Sequence, residues 1–374
     1  MSSQLDQRLL KRTASGNIRS LRVIPDLIDF ASNDYLGLAR SPDFAAAVMQ
    51  ECRTHENPLN GLGSTGSRLL TGNSLYAQDL ENKIAAFHGF EAGLLFSCGY
   101  MANVGLLSAL PGSDDRIFFD EQVHASTHDG IRLSRAKAFP FRHNDLKHLE
   151  ARLKNCSIKG DRFICVESIY STDGSKAPLV EICRLAKEYE ALLIVDEAHA
   201  TGVSGPRGHG LVEEYNLTDH IFAKMITFGK ALGAYGAIVL GSDRVKQGLI
   251  NFATSLIYTT ALPFHSLAAI KCSYDLFPML ERERRHLHKL IQMFRVMHPK
   301  TSETHIQSIA IQGNEQVSYI SKKLAEEGFN VRPLMSPTVK KGKEVLRICL
   351  HAFNTENDLV TLIERIKSEH SPAI

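Results

Sequence analysis

Short apolar, β-rich runs recur along the first three-quarters of the chain, separated by stretches whose apolar residues have helical spacing. The runs are 93–97 (GLLFS), 116–120 (RIFFD), 162–168 (RFICVES), 191–196 (ALLIVD), 225–228 (MITF) and 237–241 (AIVLG). Between them, residues 76–88 place Leu80, Ile84 and Phe87 at i, i+4 and i+7, and residues 180–189 carry Ile182 and Leu185. Strands that are apolar throughout belong in a sheet covered on both faces, and strands alternating with helices build a mostly parallel one. The pattern predicts one large α/β domain over residues 44–277.

Beyond Pro278 the texture changes. A charged helix (ERERRHLHKLIQMFRVM) leads to a strand-like SIAIQ, a helix over 317–327, a turn at Gly328, the runs VRPL and VLRICLH, and a last helix through Ile366. That order predicts a small α+β domain over 278–374. Residues 1–43 read as a helix and an extended arm that includes Asn33-Asp34-Tyr35-Leu36-Gly37. With 374 residues, of which 44% are hydrophobic and 22% charged, the chain has material for such a two-domain core and is no disordered polymer.

The charges nearly cancel, 43 Lys+Arg against 41 Asp+Glu, with no block of like charge that would make a nucleic-acid or membrane arm. Seven cysteines, an odd number without a C-x-x-C pair and several of them in apolar runs, fit reduced thiols and a cytoplasmic protein. The first residues, MSSQLDQRLLKRTASGN, lack the apolar core of a signal peptide, and no apolar run approaches the length of a membrane span. Neither secretion nor membrane insertion is expected.

Two familiar strings mislead. Residues 61–66 spell G-x-G-x-x-G, but HENPLN precedes them where a dinucleotide site requires a strand. Residues 196–199 spell DEAH, yet the chain has no G-x-x-x-x-G-K-[ST] loop to hold a triphosphate, and Gly229-Lys230 is followed by Ala231. No metal site is read from the sequence.

What remains is a set of polar residues at strand ends, where open α/β sheets bind ligands. Asp196 closes the most apolar run, and Lys230 follows 225–228 between Gly229 and Gly233. A lysine there reads as a reactive amine, because a partly desolvated lysine has a lowered pKa and forms Schiff bases. Residues 97–103 (SCGYMAN) pass from a strand into a helix whose first N–H groups suit a phosphate. Tyr100 and His124 offer flat faces to an aromatic ligand. Each also has a plainer reading alone: Asp196 as a helix cap, Lys230 as a loop lysine, His124 as a polar loop residue.

Together these residues resemble the α-oxoamine synthases, pyridoxal-phosphate-dependent acyltransferases of fold type I. The matching segments run in order along nearly the whole chain: SNDYLGLA (32–39), GSTGSRLLTG (63–72), GYMAN (99–103), HAS (124–126), FRHND (141–145), YSTDGSKAPL (170–179), VDEAHATGVSGPRGHG (195–210), TFGKALG (227–233), YTTALP (258–263), and SPTV with LRICLHA near the end. The resemblance implies a mostly parallel seven-stranded sheet flanked by helices, plus a small C-terminal α+β domain. It implies that Lys230 forms a Schiff base with the cofactor, that Asp196 faces the pyridine nitrogen, that His199 bonds the phenolic oxygen and that His124 stacks on the ring. Gly99, Tyr100, Ser171 and Thr227 become further cofactor contacts, and Thr259 or Thr260 reaches the partner subunit's phosphate across a homodimer interface. Arg347 matches the arginine that clamps the amino-acid carboxylate, and Arg19 and Thr338 match substrate contacts. One departure stands out: Met335 occupies a position where an arginine is expected, with Arg332 nearby.

The activity implied is the condensation of L-alanine with a pimeloyl thioester, on CoA or a carrier protein, in biotin biosynthesis. A sister reaction using glycine or serine with another acyl chain is the alternative within the family. A silent scaffold subunit is the alternative outside enzymology, and the retention of Lys230, Asp196 and His199 speaks against it.

Overall fold

The computed structural model describes residues 3–21, 23, 26–55, 62–157, 159–299 and 301–370. Among them the strands in chain order are β1 Ile28–Asp29, β2 Ala92–Phe96, β3 Arg116–Asp120, β4 Lys137–Phe141, β5 Arg162–Glu167, β6 Ala191–Asp196, β7 Ala223–Thr227, β8 Ala237–Gly241, β9 Ile306–Ala310, β10 Phe329–Asn330, β11 Arg332–Leu334 and β12 Val345–Cys349. Seven of these form one sheet in the order β2-β8-β7-β6-β5-β3-β4. Strand β8 is antiparallel to both neighbours and every other pairing is parallel. The mostly parallel seven-stranded sheet is therefore as expected. The seventh strand, β4 (KAFPF), escapes a reading for apolar runs because Pro140 interrupts it; a proline lacks the ladder N–H and is tolerated at a sheet edge, where β4 lies.

Side chains alternate across a strand. One face of the sheet carries Leu94, Phe96, Ile117, Phe119, Phe163, Cys165, Ile194, Met225 and Val239, packed with Ala102, Leu106 and Leu107 of the helix Gly99–Ala109. The other face buries Leu95, Phe118, Ile164, Val166, Leu193, Val195, Ile226 and Ile238. Both faces are thus dry, which is why the strands read as unbroken apolar runs.

The chain divides into two compact units. The larger comprises Leu36–Ser171 and Lys176–Arg284; the smaller comprises Met1–Tyr35, Thr172–Ser175 and Arg285–Ile374. This differs from the division at 43/44 and 277/278 in three places, each with a physical cause. The segment Thr172–Ser175 joins the smaller unit, where Gly174 O accepts from Ser302 Oγ at 2.7 Å and Thr304 Oγ1 at 2.9 Å. The N-terminal arm is tied into the smaller unit: β1 pairs in parallel with β10, the Cys349 N–H donates to Phe30 O at 2.8 Å, and the Ala352 N–H donates to Tyr35 O at 2.8 Å. The helix Glu281–Met297 crosses the division. Its buried Arg284 donates to Phe277 O at 2.7 Å and Pro278 O at 2.9 Å, which holds the first turn to the larger unit even though composition already changes at Pro278.

In the smaller unit, β11, β12 and β9 form an antiparallel sheet. The helices Asn314–Glu326 and Glu356–His370 contribute Val317, Ile320, Leu324, Leu359, Leu362 and Ile366 to its core. Among the described residues, all cysteines are free and no helix is long and apolar enough to cross a membrane.

Candidate active site

The carboxyl ends of β2, β3, β5, β6 and β7 lead directly into Gly99, His124, Ser171, Asp196 and Lys230. Asp196 is buried and firmly placed. Its Oδ2 accepts from Asn103 Nδ2 at 2.8 Å, and its Oδ1 from the Ala198 N–H at 2.9 Å. The second N–H of Asn103 donates to Ser126 Oγ at 3.0 Å. Ser126 in turn lies 2.7 Å from His124 Nδ1, which also accepts the Ser126 backbone N–H at 3.2 Å. An Nδ1 that only accepts belongs to a neutral ring with its proton on Nε2. Burial acts the same way, lowering the His124 pKa, with the Asp196 charge opposing and Lys230 assisting. One chain of buried donors therefore couples the carboxylate to the imidazole.

Lys230 Nζ lies 2.7 Å from His199 Nε2. In its ammonium form Lys230 can only donate, so Nε2 accepts. The turn that carries His199 is closed by its own backbone, with the Ala200 N–H on Glu197 O at 3.0 Å and the Glu197 N–H on Met225 O at 2.9 Å. Thr227 Oγ1 donates to Gly236 O at 3.3 Å, and a Cβ built on Gly99 would stand only 3.3 Å from Thr227 Cβ. A side chain at Gly99 would therefore press on Thr227 unless that residue gave by a few tenths of an ångström. The helix that starts at Gly99 has Cys98 as N-cap without a side-chain hydrogen bond, so its first amides are available to an anion. Tyr100 sits on that first turn and its hydroxyl donates to Asp129 Oδ2. Thr259 and Thr260 line a pocket with Arg68, Gly72, Ser97 and Ser255.

The smaller unit gathers the remaining expected residues among themselves. Arg347, in β12, is buried and its Nη2 donates to Asn33 Oδ1 at 3.2 Å, which also accepts the Tyr35 hydroxyl at 2.9 Å. Arg19 Nη2 donates to Thr338 Oγ1 at 3.4 Å. Arg332 stands opposite Arg347 in the antiparallel register, on the same face of the ladder.

Residues 25–366 match the family of class I and II aminotransferases. An 8-amino-7-oxononanoate synthase of Emericella nidulans is 43% identical, over 93% of this chain and 90% of its own. Another, of Saccharophagus degradans, is 38% identical over 98% of this chain and 96% of its own. The chain belongs to the 8-amino-7-oxononanoate synthase family. Among solved structures, a Sphingomonas wittichii serine palmitoyltransferase superimposes with a TM-score of 0.89 at 27% identity, covering 98% of this chain and 97% of that one. The 8-amino-7-oxononanoate synthase of Francisella tularensis gives 0.78 at 29% identity, covering 92% and 97%.

As a member of the 8-amino-7-oxononanoate synthase family the protein is an enzyme of fold type I whose cofactor is pyridoxal 5′-phosphate. The residues present fit that group. An amine, a fixed carboxylate, a neutral imidazole and an uncapped helix start meet at the strand ends, and Glu167 Oε1, on the last residue of β5, is buried without a hydrogen-bond partner. Asn103, Ser126 and Glu167 were not singled out from the sequence of this 8-amino-7-oxononanoate synthase relative. Asn103 and Ser126 stand inside the GYMAN and HAS segments, and a polar residue on the inner side of an otherwise apolar helix was the available signal. Replacing Asn103 by leucine strips a buried carboxylate of a donor, which costs about 1–3 kcal/mol. The expected result is cofactor affinity weakened about ten- to hundredfold with the fold intact, read by titrating apoprotein with pyridoxal phosphate.

Proposed function

We propose that the enzyme condenses L-alanine with a pimeloyl thioester, carried by CoA or a carrier protein, releasing CO2 and the free thiol and forming 8-amino-7-oxononanoate. We further propose that it works as a homodimer whose subunits share each active site. The pair of Lys230 Nζ and His199 Nε2 at 2.7 Å, beside the Asp196 held by Asn103, carries the reading. Bound pyridoxal phosphate supplies an electron sink that makes the α-proton of an amino acid removable.

The chain's own residues do the rest. Asp196 places a negative charge opposite the ring nitrogen and favours its protonated form. Lys230 would hold the cofactor at its aldehyde, and its Nζ would move the α-proton, with His199 Nε2 steadying that atom. His124, neutral, offers a flat face without adding charge. Gly99, Tyr100 and the helix start receive the phosphate, with Ser171 and Thr227 as further polar contacts and Thr259 or Thr260 reaching across to the partner subunit's phosphate. Arg347 offers a planar fork to the substrate carboxylate, and Arg19 and Thr338 bind substrate.

Identity of 43% and 38% to relatives named for 8-amino-7-oxononanoate synthesis, against 27% to the serine palmitoyltransferase, favours alanine. The TM-score of 0.89 to the latter keeps serine with a longer acyl chain as the second reading. A grid of alanine, glycine and serine against pimeloyl and palmitoyl thioesters, followed by thiol release, separates them: preference for alanine with pimeloyl is expected, and preference for serine or glycine refutes the proposal. In the same assay Arg347→Lys should raise the amino-acid KM about ten- to hundredfold while cofactor binding is unchanged, because a single ammonium replaces a bidentate, charge-assisted contact.

A further inference from the structure

Glu167 ends β5 in direct register with Asp196 at the end of β6. The alternation that puts Phe163 and Cys165 on the face of the helix Gly99–Ala109 puts Glu167 there too, as it does Ile194 and Asp196. Two carboxyl groups thus stand side by side at the floor of the site. Glu167 is 2% exposed. Its Oε2 accepts the Ser171 N–H at 3.2 Å. Its Oε1 is buried with no hydrogen-bond partner. Burial and the adjacent Asp196 charge push the Glu167 carboxyl well above the usual carboxylate range, with Lys230 and the Ser171 amide pulling the other way. Of two neighbouring carboxyl groups in one dry site, only one ionises readily. Asp196 accepts a hydrogen bond on each of its oxygens, whereas Glu167 accepts one on Oε2 alone, so a negative charge is better met at Asp196.

We propose that Glu167 is a positioning residue of the cofactor pocket, a neutral acid that ties the Ser171 backbone to the end of β5 and leaves Asp196 as the single negative charge facing the cofactor. The assignment rests on pyridoxal phosphate as cofactor and not on which amino acid and thioester react, so it survives a revision of the substrates.

The test compares wild type, Glu167→Gln and Glu167→Ala as apoproteins titrated with pyridoxal phosphate, reading cofactor affinity and the pH midpoint of the bound cofactor's visible absorption. Glutamine matches the neutral acid in shape and charge and should stay within about threefold in affinity and about 0.3 pH unit in midpoint. Alanine should weaken affinity about tenfold or more and move the midpoint by about half a unit or more, since Ser171 loses its tie and a cavity opens beside Asp196. If Glu167→Ala does not fold by circular dichroism, Glu167→Met, which keeps the volume and removes the polar group, replaces it. A Gln variant that behaves like Ala shows that the anion was needed and overturns the proposal. An Ala or Met variant with a wild-type midpoint reduces Glu167 to a structural tie and overturns it as well.

Discussion

Lys230→Ala should leave a folded protein whose condensation rate falls by about 10²- to 10⁴-fold or more, the range that one proton-transferring side chain supplies. The decisive companion is Lys230→Arg. Arginine keeps the cation beside His199 but cannot give up its proton at any working pH, so a role resting on charge alone would be rescued and a role resting on a free amine would not. Thiol release from the acyl donor measures the first effect. Borohydride treatment measures the second: reduction should fix the cofactor to the wild-type protein and to neither variant. Activity in either variant within about tenfold of wild type would remove Lys230 from the chemistry.

The second large effect lies on the opposite side of the same turn. Asp196 points into the site, while its neighbour Glu197 belongs to a buried charge cluster. Lys224, whose side chain is 0% exposed, lies 2.8 Å from Glu197 and 2.6 Å from Glu213. His88 Nδ1 is 3.0 Å from Glu213, and its Nε2 meets the Tyr274 hydroxyl at 3.1 Å. Glu197 also accepts the Leu211 and Val212 N–H groups at 2.7 and 3.0 Å. Lys224→Met removes the cation and strands two carboxyl groups, so unfolding in urea should reveal a loss of about 3–5 kcal/mol. Adding Glu197→Gln should recover part of it, because the two sites are coupled through one ion pair. The pH dependence has a definite sign. Burial raises the Glu197 pKa, and Lys224 opposes that rise. An acid whose folded pKa is raised penalises the fold above its unfolded value, and the penalty fades as pH falls. The deficit of Lys224→Met should therefore shrink between pH 7 and pH 5.5; a constant deficit would mean the loss is one of packing.

The parallel sheet was legible because six of its strands are apolar on both faces, and the site was legible where a charged residue interrupts such a run at its end, as Asp196 and Lys230 do. Glu167 was hidden by being the less conspicuous of two carboxyl groups at neighbouring strand ends, a register that no single run of sequence discloses. Lys224 was hidden more thoroughly: a lysine inside a strand reads as solvent-facing, and only the positions of Glu197, Glu213 and His88, scattered over more than a hundred residues, show why it is dry. The arm's attachment to the smaller unit was invisible for the same reason, since β1 is two residues long and its partner β10 lies near the other end of the chain.

That pairing sets an order of events during synthesis. The larger unit closes its chain at Arg284, so its sheet can assemble while the ribosome is still at work. The smaller unit cannot, because Ile28 must wait for Phe329 and Phe30 for Cys349. The N-terminal arm is therefore among the last segments to find its partners. A nascent chain stalled before residue 329 would carry an N-terminal arm open to proteases beside a larger unit that already resists them.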